Sequence, residues 1–309
     1  MSGQTPIVGY ELDRLGWLHF EQLCAALFEL EGGVPPLAWA GDADRCRAVL
    51  SGTAIGPPLV RTPLPPPVLI QCIWVPPDRP ARLVTALEWL VDERLDDITL
   101  ARSLMLVTNH DRTHGLATGV RRSLPHQDTK VRVLGPAAIG ARLDARPELR
   151  RAMPSVLGLR DLGELIDPEV AARSSLDRAA ATELATVFVP TRAYRRALGI
   201  LDTYRFAVLT GPPEMGKTAI ARIISLARLT DGWDAHECNR PEDMWRVFDP
   251  DRPQVFVADD AFGSTEYRAD AAERWASDME RILRVLDDRH WLIWTSRPAP
   301  LHAGLGRLH

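Results

Sequence analysis

Apolar positions near the start of the chain step by three and four. Phe20, Leu23, Cys24, Leu27 and Leu30 fall on one face of a helix, and Gly32-Gly33 supplies its stop. The stretch 51–67, SGTAIGPPLVRTPLPPP, carries Gly and Pro too densely for a helix or a central strand. It leads into the apolar run Val68 to Val75, which reads as a buried strand. A helix over 80–95, a strand at Leu104 to Thr108, a further helix and a short strand at Val131 to Leu134 continue the alternation. Such alternation predicts an α/β layer structure.

From Met153 to Arg178 the periodicity weakens, and Pro, Gly and paired charges accumulate. A linker is expected over 153–180, dividing a first domain, 1–152, from a second, 181–309. A chain of 309 residues is comfortable for two such cores. The second domain reads as a helix (Thr191 to Tyr204), a strand (Phe206 to Leu209), a glycine-bearing loop and a helix (Thr218 to Leu229). A strand near His236, a strand at Val255 to Ala258, a helix (Ala271 to Leu286) and a strand at Trp291 to Trp294 follow.

The loop is Thr210-Gly211-Pro212-Pro213-Glu214-Met215-Gly216-Lys217-Thr218, a match to GxxxxGK[ST] between an apolar strand and an amphipathic helix. That pattern cradles phosphates. Gly211 and Gly216 permit the tight backbone, successive N–H groups and the positive helix end meet anionic oxygens, and Lys217 reaches the β/γ-phosphates. The Thr218 hydroxyl is placed for Mg2+. Lysine occurs elsewhere only at Lys130, so a chain that otherwise uses arginine keeps a compact ammonium here. Glu214 brings a carboxylate into a loop meant for phosphate, which weakens the expected affinity unless its side chain faces outward.

Two further segments supply acids and a cation. Asp259 and Asp260 end the apolar run Val255 to Ala258, so Asp259 is assigned to the metal and Asp260 to orienting the attacking water. Thr295-Ser296-Arg297 ends the last strand, where a polar side chain can sense the γ-phosphate and Arg297 can neutralise developing charge.

The hydrophobic fraction of 46% and charged fraction of 25% are those of an ordinary globular protein. A net charge of -4 offers no overall field for nucleic acid or anionic membrane, so any DNA contact must be local. Arg121-Arg122 and the arginines of 142–151 read as salt-bridged helix faces rather than phosphate contacts. Cys24, Cys46, Cys72 and Cys238 are scattered, with no zinc-ligand spacing. Neither a signal segment nor an apolar run of about 18 residues is present, which predicts a cytoplasmic protein without a membrane partner.

The combination TGPPxxGKT, VFVADDAFGS and WTSR, over about 185–309, resembles the STAND class of signal-transducing P-loop ATPases, particularly bacterial branches linked to anti-phage systems. The resemblance implies a three-layer αβα nucleotide switch that uses ATP or GTP with Mg2+ and self-associates or engages a protein partner. Asp260 with Ala261-Phe262-Gly263 would be that branch's acidic motif. Such cores usually continue into a fifth strand, a lid and a sensor, so a core that stops after its fourth strand is expected to be incomplete.

Gly9 to Leu15 and Trp17 to Cys24 resemble the opening helix of Mrr-like restriction endonuclease domains, and Val68 to Trp74 falls where those carry a QxK strand. Gln71 matches, but Ile73 stands where the lysine that helps activate water belongs. Gly41-Asp42-Ala43-Asp44-Arg45 is the nearby source of a metal-binding acid. The resemblance implies a nuclease-fold domain that has lost cleavage and serves for DNA or protein contact. The expected function is a regulatory ATPase coupled to that domain. The alternatives are an ATP-regulated DNA endonuclease and a scaffold that binds nucleotide without hydrolysis.

Overall fold

A computed structural model describes residues 9–32, 49–50, 53–54, 59–61, 68–93, 95, 98–99, 103–111, 113–126, 128–263 and 266–306. The chain divides into two compact units, Met1–Leu149 and Arg150–His309, and both are mixed α/β structures with parallel strands. Among the described residues no helix is long and apolar enough to cross a membrane.

In the first unit, helix α1 (Gly16–Gly32) precedes a two-stranded pair, β1 (Val49–Leu50) and β2 (Thr53–Ala54). A four-stranded sheet follows in the order β3 (Leu59–Arg61), β4 (Val68–Ile73), β5 (Ser103–Thr108) and β6 (Lys130–Leu134). The strand β3 runs antiparallel to β4, whereas β4, β5 and β6 are mutually parallel. The region read as a Gly/Pro loop therefore contains an edge strand, the one sheet position that tolerates flanking prolines.

Ile73 joins Leu104, Leu106 and Val131 in a core with α2 (Arg82–Glu93) and with Val120 of α3 (Leu116–Ser123). Cys72, on β4, and Cys24, on α1, are both buried, and Phe20, Leu23, Cys24 and Leu27 are buried as their spacing predicts. Tyr10 donates to Asp144 of α4 (Pro136–Ala145) at 2.9 Å, tying the start of the unit to its end.

In the second unit all four strands are parallel, in the order β7 (Phe206–Thr210), β10 (His290–Ser296), β9 (Gln254–Ala258) and β8 (Asp234–Glu237). Alternate residues serve opposite faces. Val255, Val257, Trp291 and Ile293 enter one core, and Phe256, Ala258, Leu292 and Trp294 enter another. This is a helix–sheet–helix sandwich.

Residues 153–180, expected to form a linker, are instead folded into this unit. Helix α5 (Pro147–Ala152) and a 3-10 turn (Pro154–Leu159) lead to α6 (Leu162–Leu165), α7 (Pro168–Arg173) and α8 (Arg178–Val187). The paired charges and prolines that hid the periodicity are helix starts. Asp161, Asp167 and Asp177 each accept a backbone N–H of the following first turn, at 2.9, 2.7 and 3.1 Å, and Pro168 sits where a helix needs no donor. Leu157, Leu162, Ile166, Val170, Ala181 and Ala185 pack into the same core as α9 (Arg192–Tyr204) and α10 (Lys217–Thr230).

At the far end of α10, Asp231 receives Arg150 at 3.1 Å and Arg151 at 2.6 Å. The Arg228 guanidinium lies 3.8 Å over the Trp291 ring and 4.6 Å over that of Trp233. The salt-bridged reading of Arg150 and Arg151 is thus correct. Removing one partner of such a buried pair costs on the order of 3–5 kcal/mol.

Two buried titratable groups make stability depend on pH in opposite directions. Burial raises Glu21 of α1 from 4.5 to about 7, so the folded first unit favours the protonated form. Its contribution is fully present below pH 4.5 and is lost as pH rises towards 7. Glu21→Gln should raise the thermal midpoint at pH 8 and leave it nearly unchanged at pH 4, as measured by circular dichroism.

His236 of β8 stacks on Phe256, has no hydrogen-bond partner for either ring nitrogen, and is lowered by burial against a smaller opposing pull from Asp234. The unfolded chain therefore binds the proton that the fold refuses, and stability falls as pH drops below about 6.5. His236→Phe should flatten the loss of midpoint between pH 7 and pH 5.5 in the same melts.

Candidate functional site

The chain enters the second sheet at the edge strand β7, crosses to the opposite edge through α10, and returns inward through β8 and β9. The last strand, β10, inserts between β7 and β9, pairing Ser296 with Thr210 and Trp294 with Ala258. The strand order therefore reverses beside β7. The carboxyl ends of the strands at such a reversal form the crevice where open α/β sheets bind ligands. All the second-unit residues singled out in the sequence lie at those ends.

Residues Gly211, Pro212, Pro213, Glu214, Met215 and Gly216 connect β7 to α10. Gly216 is the N-cap of α10 with φ of 77°, a left-handed geometry that disfavours a side chain, and an added Cβ there would meet nothing within 4 Å. Glu214 also takes a positive φ, 63°, and its side chain is exposed. Successive turns of this kind aim backbone N–H groups into one concavity. The Lys217 ammonium donates to the carbonyls of Gly211 at 2.9 Å and Pro212 at 2.8 Å, which holds it against the loop.

Thr218, the second residue of α10, donates its hydroxyl to the Asp259 carboxylate, with 2.9 and 3.2 Å to the two oxygens. The Thr295 hydroxyl donates to Asp259 as well, and accepts the Asp260 backbone N–H at 2.8 Å. Asp260 adopts φ of 48°. Ala261 N–H donates to the Thr295 carbonyl at 3.0 Å and Gly263 N–H to the Asp260 carbonyl at 2.8 Å, closing a tight acidic turn. Gly263 has φ of 108°, and an added Cβ would lie 2.1 Å from the Glu266 carbonyl oxygen, so this turn requires glycine.

Burial raises the Asp260 carboxyl above its ordinary value, and the neighbouring Asp259 raises it further. Arg297 and Lys217 pull it the other way. Arg297 is half-buried at the start of α11 (Pro298–Leu305). Sequence reasoning missed the place of Thr295: with no exposed surface, its hydroxyl is committed to the two acids rather than turned towards a ligand. Along the chain Thr295 shows only as a hydroxyl residue after an apolar strand, and the order of strands alone turns it to the acidic turn.

The residues fit the groups the pattern implies. The Gly216 cradle, the first N–H groups of α10 and Lys217 suit a chain of phosphates. Adjacent oxygen ligands of an octahedral Mg2+, at about 2.1 Å from the ion, stand about 3 Å apart. The 2.9 Å separation of the Thr218 and Asp259 oxygens meets that requirement.

The first unit differs. Gln71 has no exposed surface and Ile73 is 1% exposed, in the core beside α2. Gln71 donates to the neighbouring Cys72 carbonyl at 3.1 Å. The residues 41–45 lie outside the described residues, and among those described no group of three acidic, His or Cys side chains could hold a metal ion.

Strand order and loop together define a P-loop NTPase-like α/β unit. Residues 188–307 match the family described as Novel STAND NTPase 3, and this match supports a STAND-class NTPase, a generally regulatory class that binds nucleotide with Mg2+. No curated protein matches the chain.

Replacing Lys217 by Ala should weaken nucleotide affinity about 100-fold, the loss of a charge-assisted contact worth about 3 kcal/mol. Titration calorimetry with ATP and with GTP would measure it, and unchanged affinity would sink the phosphate-cradle reading.

Proposed function

We propose that this protein is a nucleotide-controlled regulatory NTPase. Its second unit binds ATP or GTP through residues 211–218, with Mg2+ held by Thr218 and Asp259. The observation that carries this reading is the Asp259 carboxylate bonded to the hydroxyl of the P-loop threonine, at the reversal of the strand order. The bound metal would neutralise charge on the phosphates. Asp260 orients water, and Arg297, at the end of β10, offsets negative charge as the phosphoryl group transfers.

The first unit is read as an Mrr-like restriction-endonuclease fold used for contact with DNA or a protein partner rather than for cleavage. Its order of strands and helices and its parallel β4–β5–β6 sheet are compatible with that fold. Burial of Gln71 and Ile73 counts against a nuclease site on β4, because a metal and a DNA phosphate must both reach such residues. Self-association and a place in bacterial anti-phage defence follow from the class resemblance.

Single-turnover hydrolysis with radiolabelled nucleotide tests the proposal. Wild-type protein should release phosphate, and Asp260→Asn should slow release about 100-fold with affinity retained. Bound nucleotide without phosphate release would favour the non-hydrolysing scaffold. Plasmid cleavage that depends on Mg2+ and is lost in Gln71→Ala would overturn the reading of the first unit.

A further inference from the structure

The last strand of the second unit ends in two residues with different surroundings. Arg297 is half-buried, and its charge reaches Asp260. Thr295, two residues earlier, is fully buried. A threonine hydroxyl has one proton to give and lone pairs to accept with. Here the proton goes to the Asp259 carboxylate and a lone pair takes the Asp260 backbone N–H at 2.8 Å. One side chain thus spans the peptide that joins the two acids.

That peptide is under strain. Asp260 has φ of 48°, a region an L-residue seldom occupies, so the conformation persists only where surrounding bonds impose it. The Thr295 carbonyl adds a second bond, from Ala261 N–H at 3.0 Å. Beyond the turn, Phe262 is fully buried, packs edge-to-face on Trp294 at 5.1 Å, and lies where a Cβ on Gly304 would meet its ring at 2.9 Å. The acidic turn is therefore bonded at one end to the tip of β10 and wedged at the other against α11.

We propose that Thr295 is a positioning residue. Its hydroxyl holds the Asp259 carboxylate towards Thr218, where a metal ion would sit, and simultaneously holds Asp260 in its left-handed turn. Without it, Asp259 keeps one hydroxyl partner instead of two, and the Asp260 N–H loses its acceptor in a part-buried place. The consequence is a metal ligand and a water-orienting acid that no longer share a fixed geometry. This inference rests on the nucleotide reading above for its functional half, and on the hydrogen bonds alone for its structural half.

The test compares Thr295→Val, which keeps the shape and removes the hydroxyl, with Thr295→Ser, which keeps the hydroxyl and removes the methyl. Nucleotide affinity is measured with Mg2+ and in EDTA, and amide exchange at Asp260 is followed by NMR. In Thr295→Val the gain in affinity from Mg2+ should fall about tenfold, with the EDTA value unchanged, and the Asp260 amide should exchange at least about tenfold faster. Thr295→Ser should restore both. Thr295→Ala replaces the valine variant if that fails to fold. A wild-type gain from Mg2+ in the valine variant, or a serine variant as impaired as the valine one, would overturn the proposal. If the wild type binds no nucleotide, the functional reading falls, whereas amide exchange still decides whether Thr295 braces the turn.

Discussion

The Asp259 carboxylate, gripped by hydroxyls from two separate segments, is the interaction on which the second unit's site depends. Thr218 arrives from the helix after β7, and Thr295 from the tip of β10. Both reach the same carboxylate only because β10 lies between β7 and β9, so that the phosphate loop, the acidic turn and the last strand end side by side. A sheet with β9 paired directly to β7 would bring Asp259 next to the loop but leave Thr295 on the outside. The topology therefore decides the chemistry of the crevice.

The other end of the same helix has a different role. At the close of α10, Asp231 and Arg228 gather Arg150, Arg151 and two tryptophan rings into a buried ionic and aromatic hub. Tyr194 of α9 adds a bond to the Arg151 carbonyl at 2.6 Å. One helix thus begins at the phosphate loop and ends where the first residues of the unit are pinned. Charges buried in this way contribute less to net stability than to a single arrangement, because any alternative packing leaves a guanidinium or carboxylate unpaired.

The first unit shows how burial constrains chemistry. On β4, Gln71 has no exposed surface, and Ile73, two residues later, is absorbed into an apolar core with α2. Burial of Ile73 is what an isoleucine at that register demands, since exposing it would cost roughly 2 kcal/mol of hydrophobic stabilisation.

Much of this was legible along the chain. The strands at 206–210, 254–258 and 290–296 are apolar runs, and GxxxxGK[ST] needs its spacing because a phosphate cradle is built from consecutive backbone groups. Local patterns encode local geometry, so the loop between β7 and α10 and the strand ends that carry Asp259, Asp260 and Arg297 could be placed in advance. The helices of 154–187 could not, because their apolar positions are interrupted by the same Asp and Pro residues that cap them. Nor could the task of Thr295. A hydroxyl residue at a strand end reads the same whether it faces a ligand or a neighbouring carboxylate, and only the order of strands, set by packing across the whole sheet, brought it between two acids 35 and 36 residues away.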